Sequence, residues 1–340
     1  MHPLSDDILQ GDDDHSFNGL TGCARKVIYS AWDNYTNFGC DIGGYRDVGD
    51  DERDVFIRWA QFGAFLPFME NGGGGEHRPW MYDEEVTAIY KTYVLEHYRL
   101  IPYLMSAGME SMSSQGTSPA VHPVAVKDTN TPDYENPQPS TYSYRLGDDI
   151  LVHPVLNEKG LVEMTFPAGC PDTLWLNWWD PLDTATSVAG QTGELTQWHH
   201  PSLDTYPVYV RRQALLPLQS TPTEEDVIFT WFAPLRPDGA SEADLLRVAS
   251  VPQPETVGPG LQGTATLSGE GTFTGTITAH PSMKSGWKLL GVTAPESVEF
   301  SPASACSYEY HSDHVTLHIN CPDMSAGVIV TVTGLSSQML

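Results

Sequence analysis

Three short stretches bring together residue types that can move a proton or hold a hydroxyl group. The first, GDDDHSF (Gly11–Phe17), sets Asp12, Asp13 and Asp14 side by side just ahead of a helix-period segment. A carboxylic acid there can serve as a general acid on a leaving oxygen; equally, the cluster can be a solvated turn that complements the positive end of the helix. A calcium loop is a third reading, but Gly19 is misplaced for the hand-loop pattern and no glutamate closes it. The second stretch, GCDIGGY (Gly39–Tyr45), places Asp41 inside an otherwise apolar run. Burying a carboxylate is costly unless it has partners or a task, which singles Asp41 out. The third, ENGGGGEHRPW (Glu70–Trp80), offers Glu70, Glu76, His77, Arg78 and Trp80 around four glycines. A glycine run of this kind suits a phosphate cradle, but the Lys-Ser/Thr pair that would follow is absent. Acid, base and indole together suit sugar hydroxyls better.

The elements that must position these residues alternate in period over the first ~115 positions. Ser16 to about Asn34 predicts a helix with Ser16 as its N-cap. NFGCDIGGY then reads as a buried strand breaking into a glycine loop. A second helix is expected from Asp51 to about Phe62, with acidic residues at its positive end. GAFLPFMENGGGGEHRPW returns to strand and loop. A long helix from Asp83 to about Ser106 carries Val86, Ile89, Tyr90, Tyr93, Leu100, Ile101 and Leu104 at three- and four-residue spacing. This βα order is that of part of a parallel α/β barrel or a doubly wound sheet, and the loops rich in Asp, Glu, His and Gly follow the strands.

From about Gly116 helix signals vanish. YSYRLGDDILVHPVL, LVEMTF, TLWLNWW and YPVYVRRQALLPL are strand-like, and a further β-rich stretch runs from about Thr221 to the end. Its clearest hairpins are expected in GTATLSGEGTFTGTITAH and VTLHINCPDMSAGVIVTVTGL. The expected layout is α/β followed by all-β. Residues 1–115 are the carboxy-terminal part of a barrel, 116–220 a proximal antiparallel β-sandwich and 221–340 a distal one.

Composition narrows the partners. The 340 residues carry 44 acidic and 17 basic side chains, a formal net charge of −27. Such a surface repels nucleic acid and anionic membranes, whereas a neutral ligand fits it. Nine Trp, fifteen Tyr and eleven Phe suit a protein that handles sugars, although most such aromatics are ordinary core. The five cysteines form no metal pattern; Cys306 and Cys321 could bridge two strands, and an odd count leaves a thiol free. MHPLSDDILQ lacks the basic flank and apolar run of a signal peptide, and no stretch approaches the roughly eighteen apolar residues of a membrane span. His199-His200 reads as a surface turn, and Asn34-Tyr35-Thr36 as a glycosylation triplet of the kind that often arises by chance.

Taken in order, these segments resemble glycoside hydrolase family 31. Gly11-Asp12 matches the family's sixth-strand Gly-Asp, and Gly39–Tyr45 its GxDIGG-type seventh strand. RWAQFGAFLPFM (Arg58–Met69) matches its RWxQxGAFxPxM segment, and YRLIPYL (Tyr98–Leu104) its last barrel helix. YRLGDDILVHPVL and YPVYVRRQALLPL resemble two strands of its proximal β-domain. The resemblance covers residues 11–218 and fades beyond about 221.

It implies retaining hydrolysis of an α-glycosidic bond, of α-glucosidase or α-xylosidase type, without metal or organic cofactor and on a carbohydrate partner. Two carboxyl groups do the work: one attacks the anomeric carbon, the other protonates the leaving oxygen and then activates water. By resemblance Asp12 is the acid/base and Asp41 a sugar-binding residue. Trp59, Glu76, His77, Arg78 and Trp80 are expected to shape the subsite and contact hydroxyls. The family has a sugar-binding His just after the MxN stretch; Gly72 stands there, which shifts that role to His77 or Glu76 on the longer loop. The family's nucleophile lies in a DxNE-type motif upstream of Asp12, and no such motif occurs in these residues. The expectation is therefore of the last three βα units of a barrel, inactive alone, whose partner is the remaining amino-terminal part. The alternative is a non-catalytic carbohydrate-binding protein or a remnant.

Overall fold

The computed structural model describes residues 12–46, 53–114, 119–125, 139–167, 174–189, 195–221, 224, 226–233, 245–252, 260–268, 270–279, 283–303 and 306–336. Gly11, Asp51 and Cys170 lie outside them. The chain divides into two compact units, one of Met1–His97, Ala107–Asp172 and Gly190–Tyr209, the other of Tyr98–Ser106, Thr173–Ala189 and Val210–Leu340.

Helix α1 (Phe17–Trp32) begins where expected: the Ser16 hydroxyl accepts from Gly19 N at 3.0 Å. Leu20, Cys23, Ala24, Val27, Ile28 and Ala31 form its buried stripe, and the helix ends into Asn34, whose φ of 61° turns the chain out of it. Strand β1 (Gly39–Asp41) follows, then α2 (Arg53–Ala64) and β2 (Phe68–Glu70). β1 and β2 pair in parallel, Gly39 opposite Phe68, Cys40 opposite Met69 and Asp41 opposite Glu70. The intervening α2 makes this a βαβ unit, as the alternating periods predict.

Residues Val55–Ala64 of α2 are all buried, including two polar side chains. Arg58 and Gln61 reach the carbonyls of one loop: Arg58 donates to those of Pro201, Ser202 and Thr205, and Gln61 to that of Leu203. Buried polar groups of this kind persist because each donor finds an acceptor. Helix α3 (Glu84–Ser113) is capped by Asp83, which accepts from Val86 N at 2.8 Å. It runs beyond the expected Ser106 and through Pro102 to Ser113. Good helix formers at Ala107, Met109 and Glu110 sustain it.

The remaining strands are β3 (Val121–Pro123), β4 (Tyr144–Leu146), β5 (Ile150–Val152), β6 (Val162–Phe166), β7 (Leu174–Asn177), β8 (Val188–Ala189), β9 (Leu195–His199), β10 (Val208–Arg211) and β11 (Leu215–Leu218). After them come β12 (Asp226–Trp231), β13 (Leu245–Val251), β14 (Leu261–Leu267), β15 (Phe273–Ile277), β16 (Lys284–Leu290), β17 (Ser297–Ser301), β18 (Ser307–His311), β19 (Thr316–Cys321) and β20 (Val328–Thr333). In the first unit β3, β4 and β5 run antiparallel in that order, and β6 pairs with β9.

In the second unit two five-stranded sheets, β11-β12-β16-β19-β18 and β13-β14-β15-β20-β17, enclose one core around Phe229, Trp231, Phe273 and Trp287. β12 and β16 pair in parallel within the otherwise antiparallel set. GTATLSGEGTFTGTITAH forms the expected β14-β15 hairpin. VTLHINCPDMSAGVIVTVTGL does not form one, because β19 pairs with β16 and β18 while β20 pairs with β15 and β17. Both strands alternate in hydrophobicity, so either partner satisfies the pattern; burying both inner faces against each other decides it. Cys306 and Cys321 are joined by a disulfide at the β18-β19 edge.

Candidate active site

The parallel β1-β2 pair ends with two carboxylates side by side. Asp41 and Glu70 are register partners at the last positions of their strands. The Asp41 carboxyl sits above its ordinary range, first because of burial and next because of the Glu70 charge, with His77 pulling the other way and Asp12 and Asp13 adding repulsion. Asp12, Asp13, Glu70 and His77 thus all act on Asp41. The aspartate inside an apolar run has charged company.

The triple-Asp cluster separates by task. Asp13 is half-buried and bridged to Lys26 at 2.8 Å; burial raises its pKa and Lys26 opposes that rise. Asp14 pairs with Arg46 at 3.0 Å, and its backbone forms a parallel bridge with the same residue. Asp12 is exposed. The Asp13 carboxylate thus ties to α1 and that of Asp14 to the end of the GCDIGGY loop, while the matching Gly-Asp residue is exposed.

The ENGGGGEHRPW loop folds back onto β1. His77 Nδ1 lies 2.8 Å from the Ile42 carbonyl oxygen, a bond that requires Nδ1 to carry the hydrogen. Among the described residues Nε2 has no hydrogen-bond partner, although it is shielded from solvent. Gly73, with φ 133°, makes the return possible: a Cβ there would stand 2.9 Å from His77 Nε2, from the Gly44 carbonyl oxygen and from Tyr45 Cα. Asn71, which sequence reasoning passed over, donates to the His77 carbonyl and to the Tyr90 hydroxyl, both at 2.9 Å. Its only sequence signal is its place at the end of the MxN stretch. Tyr90 and Tyr82 in turn stack on Phe56.

Glu76 and His77 therefore part company. Glu76 accepts from Arg78 Nε at 2.8 Å, from its terminal nitrogen at 2.7 Å and from its backbone N at 2.9 Å. This bidentate pairing pulls the Glu76 carboxyl down to about 2. Trp80, 67% exposed, stands on the short 3₁₀ turn Pro79–Met81. Trp59 differs from the expectation of a subsite residue: at 1% exposure its indole offers no surface to a sugar and serves as packing in α2. Among the described residues, no group of three or more His, Cys, Asp or Glu is arranged to hold a metal ion, and no helix is long and apolar enough to cross a membrane.

Comparison with known proteins extends this picture. Residues 8–107 match the model of the glycosyl hydrolases family 31 TIM-barrel domain, and residues 117–216 that of the glycosyl hydrolase family 31 C-terminal domain. Human neutral alpha-glucosidase C is 30% identical over 221 residues, 63% of this chain and 22% of the relative. Alpha-xylosidase XylQ of Lactiplantibacillus pentosus is 29% identical over 178 residues, 52% of this chain and 22% of its own length. The chain thus spans about a fifth of these curated relatives. Among solved structures, a Flavobacterium johnsoniae GH31 dextranase complexed with isomaltotriose shares the fold at a TM-score of 0.70 and 19% identity, covering 96% of this chain and 44% of its own. Matched barrel and C-terminal domains, with α-glucosidases and α-xylosidases as relatives, place this chain in glycosyl hydrolase family 31.

Proposed function

We propose that this chain carries the acid/base side and part of the sugar-binding side of a retaining α-glycosidase of α-glucosidase or α-xylosidase type. The observation that carries the reading is the gathering of Asp41, Glu70 and His77 at the ends of two adjacent parallel strands, with Asp12 acting on the same group. In a parallel barrel, that end is where chemistry is done. Asp12 is the proton donor to the glycosidic oxygen and then the base on water. Asp41 holds hydroxyls of the sugar, His77 backs it from the Ile42 carbonyl, and Arg78, Glu76 and Trp80 form an outer rim. The described βα segments are the last three units of the barrel, followed by a proximal β-domain to about residue 220 and a distal one beyond it. The nucleophilic carboxylate must come to within about 5–5.5 Å of Asp12. The DxNE-type motif that supplies it is not in these residues, so a complete site draws on further barrel sequence.

An external nucleophile tests this directly. Azide offered with an α-glycosyl fluoride attacks the anomeric carbon from the opposite face, forms the C–N bond and releases fluoride, giving a β-glycosyl azide. A site that holds the sugar accelerates this reaction for glucosyl or xylosyl fluoride. Phenyl α-glycosides need a proton on the leaving oxygen, so Asp12→Ala is expected to lower their azide-dependent turnover by about 10²–10⁴-fold while sparing the fluoride. No acceleration with any sugar, from folded protein, would remove the glycosidase reading for these residues.

A further inference from the structure

The sheet β11-β12-β16-β19-β18 buries one face in the sandwich core, and its other face carries a polar row. Thr230 is the register partner of Lys288, Lys288 of His318, and His318 of Glu309, so one line of side chains crosses four strands. Register partners share a face, while the alternating Phe229, Trp287 and Ile319 go to the core. Two cavities open over this row, of about 460 and 560 Å³, and both are lined by Arg99, Lys288 and His318. Each lies within the roughly 300–1,000 Å³ typical of ligand clefts. Trp178 and Trp179 line the larger one; Trp178 stacks on Phe232 and carries the Arg99 guanidinium 5.5 Å above its ring.

We propose that this groove is a second carbohydrate-binding site, taking a neutral oligosaccharide. Charge selects the ligand class. Against the two permanent cations stand Asp226 and Glu309 in one cavity and Asp180 and Asp313 in the other, so an anion meets as much repulsion as attraction. Burial, Lys288 and His311 push the His318 pKa down to about 4, leaving a neutral ring with one donor and one acceptor nitrogen at pH 7. The row therefore runs donor, donor–acceptor and acceptor: Lys288, His318 and Glu309. A hydroxyl both donates and accepts, and a pyranose adds an apolar face that an indole can cover. All of these residues belong to the second unit, whereas Asp12, Asp41 and His77 belong to the first, so the two sites can be read separately.

The test is a histidine-selective NMR titration of the 340-residue protein with maltotriose, isomaltotriose and xylobiose, with His318→Gln and His311→Asn used to assign signals. The expected result is a saturable movement of the His311 and His318 resonances with at least one sugar. Lys288→Met and Trp179→Ala should each weaken that binding by at least about tenfold, and His77→Asn should leave it unchanged. The proposal is overturned if neither resonance moves at millimolar sugar in folded protein. Movement that persists undiminished in both groove variants also overturns it, as does movement produced equally by sulfate alone. A response at His77 without one at His318 would sink this proposal and leave the glycosidase reading standing.

Discussion

At the scale of single residues, ionisation and backbone freedom make the sharpest predictions. Folding raises the Asp41 pKa through burial and the Glu70 charge, so the native state holds this proton more tightly than the unfolded chain does. The stabilising contribution is fully present below the unfolded value and is lost as pH rises through the folded one. Asp41→Asn is therefore expected to raise the melting temperature at neutral pH, with the gain vanishing toward pH 3, while weakening sugar-dependent shifts of His77. Thermal melts across pH would refute this if the gain were flat or reversed. Gly73 has φ 133° and no room for a methyl group. Gly73→Ala should cost about 1–3 kcal/mol and break the His77–Ile42 contact, read as a changed His77 tautomer signal.

Among the elements, helix starts were legible because capping is local. Ser16 stands at the N-cap of α1, as its position ahead of an apolar-periodic run suggests, and Asp83, where the long helix was expected to start, caps α3. Removing the hydroxyl in Ser16→Ala should cost about 1 kcal/mol in denaturant unfolding, whereas Ser16→Asp should cost little. The parallel β1-β2 pairing was equally legible, since an intervening helix forbids a hairpin. By contrast, Trp59 sits in a motif that looks functional from its residue types, yet α2 buries nearly its whole circumference. The periodicity of α2 marks one apolar face and does not say that its polar face is buried as well, so it cannot tell which aromatic meets a ligand.

For the whole molecule, the second unit offers a separate test of packing. A Cβ on Gly275 would meet Trp287 and Phe273 at 2.7 Å, so Gly275→Ala should overpack this core and cost about 1–3 kcal/mol. The Cys306–Cys321 bridge closes a loop of sequence separation 15. Replacing both cysteines should cost about 3 kcal/mol in the unfolding of this unit. Unfolding followed by fluorescence of Trp287 and Trp231 would show either change; unaltered midpoints would mean that this core does not govern the unit's stability.

The residues themselves determined the βα order, the helix caps, the family and the clustering of acid residues after strands, because periodicity, capping and motif spacing act within a few positions. Only the tertiary structure decided that His77 turns inward while Glu76 locks onto Arg78, since a run of four glycines permits many return paths and long-range contact with Ile42 selects one. It likewise decided that β19 and β20 part into different sheets, because alternation says which face a strand buries and not against which partner.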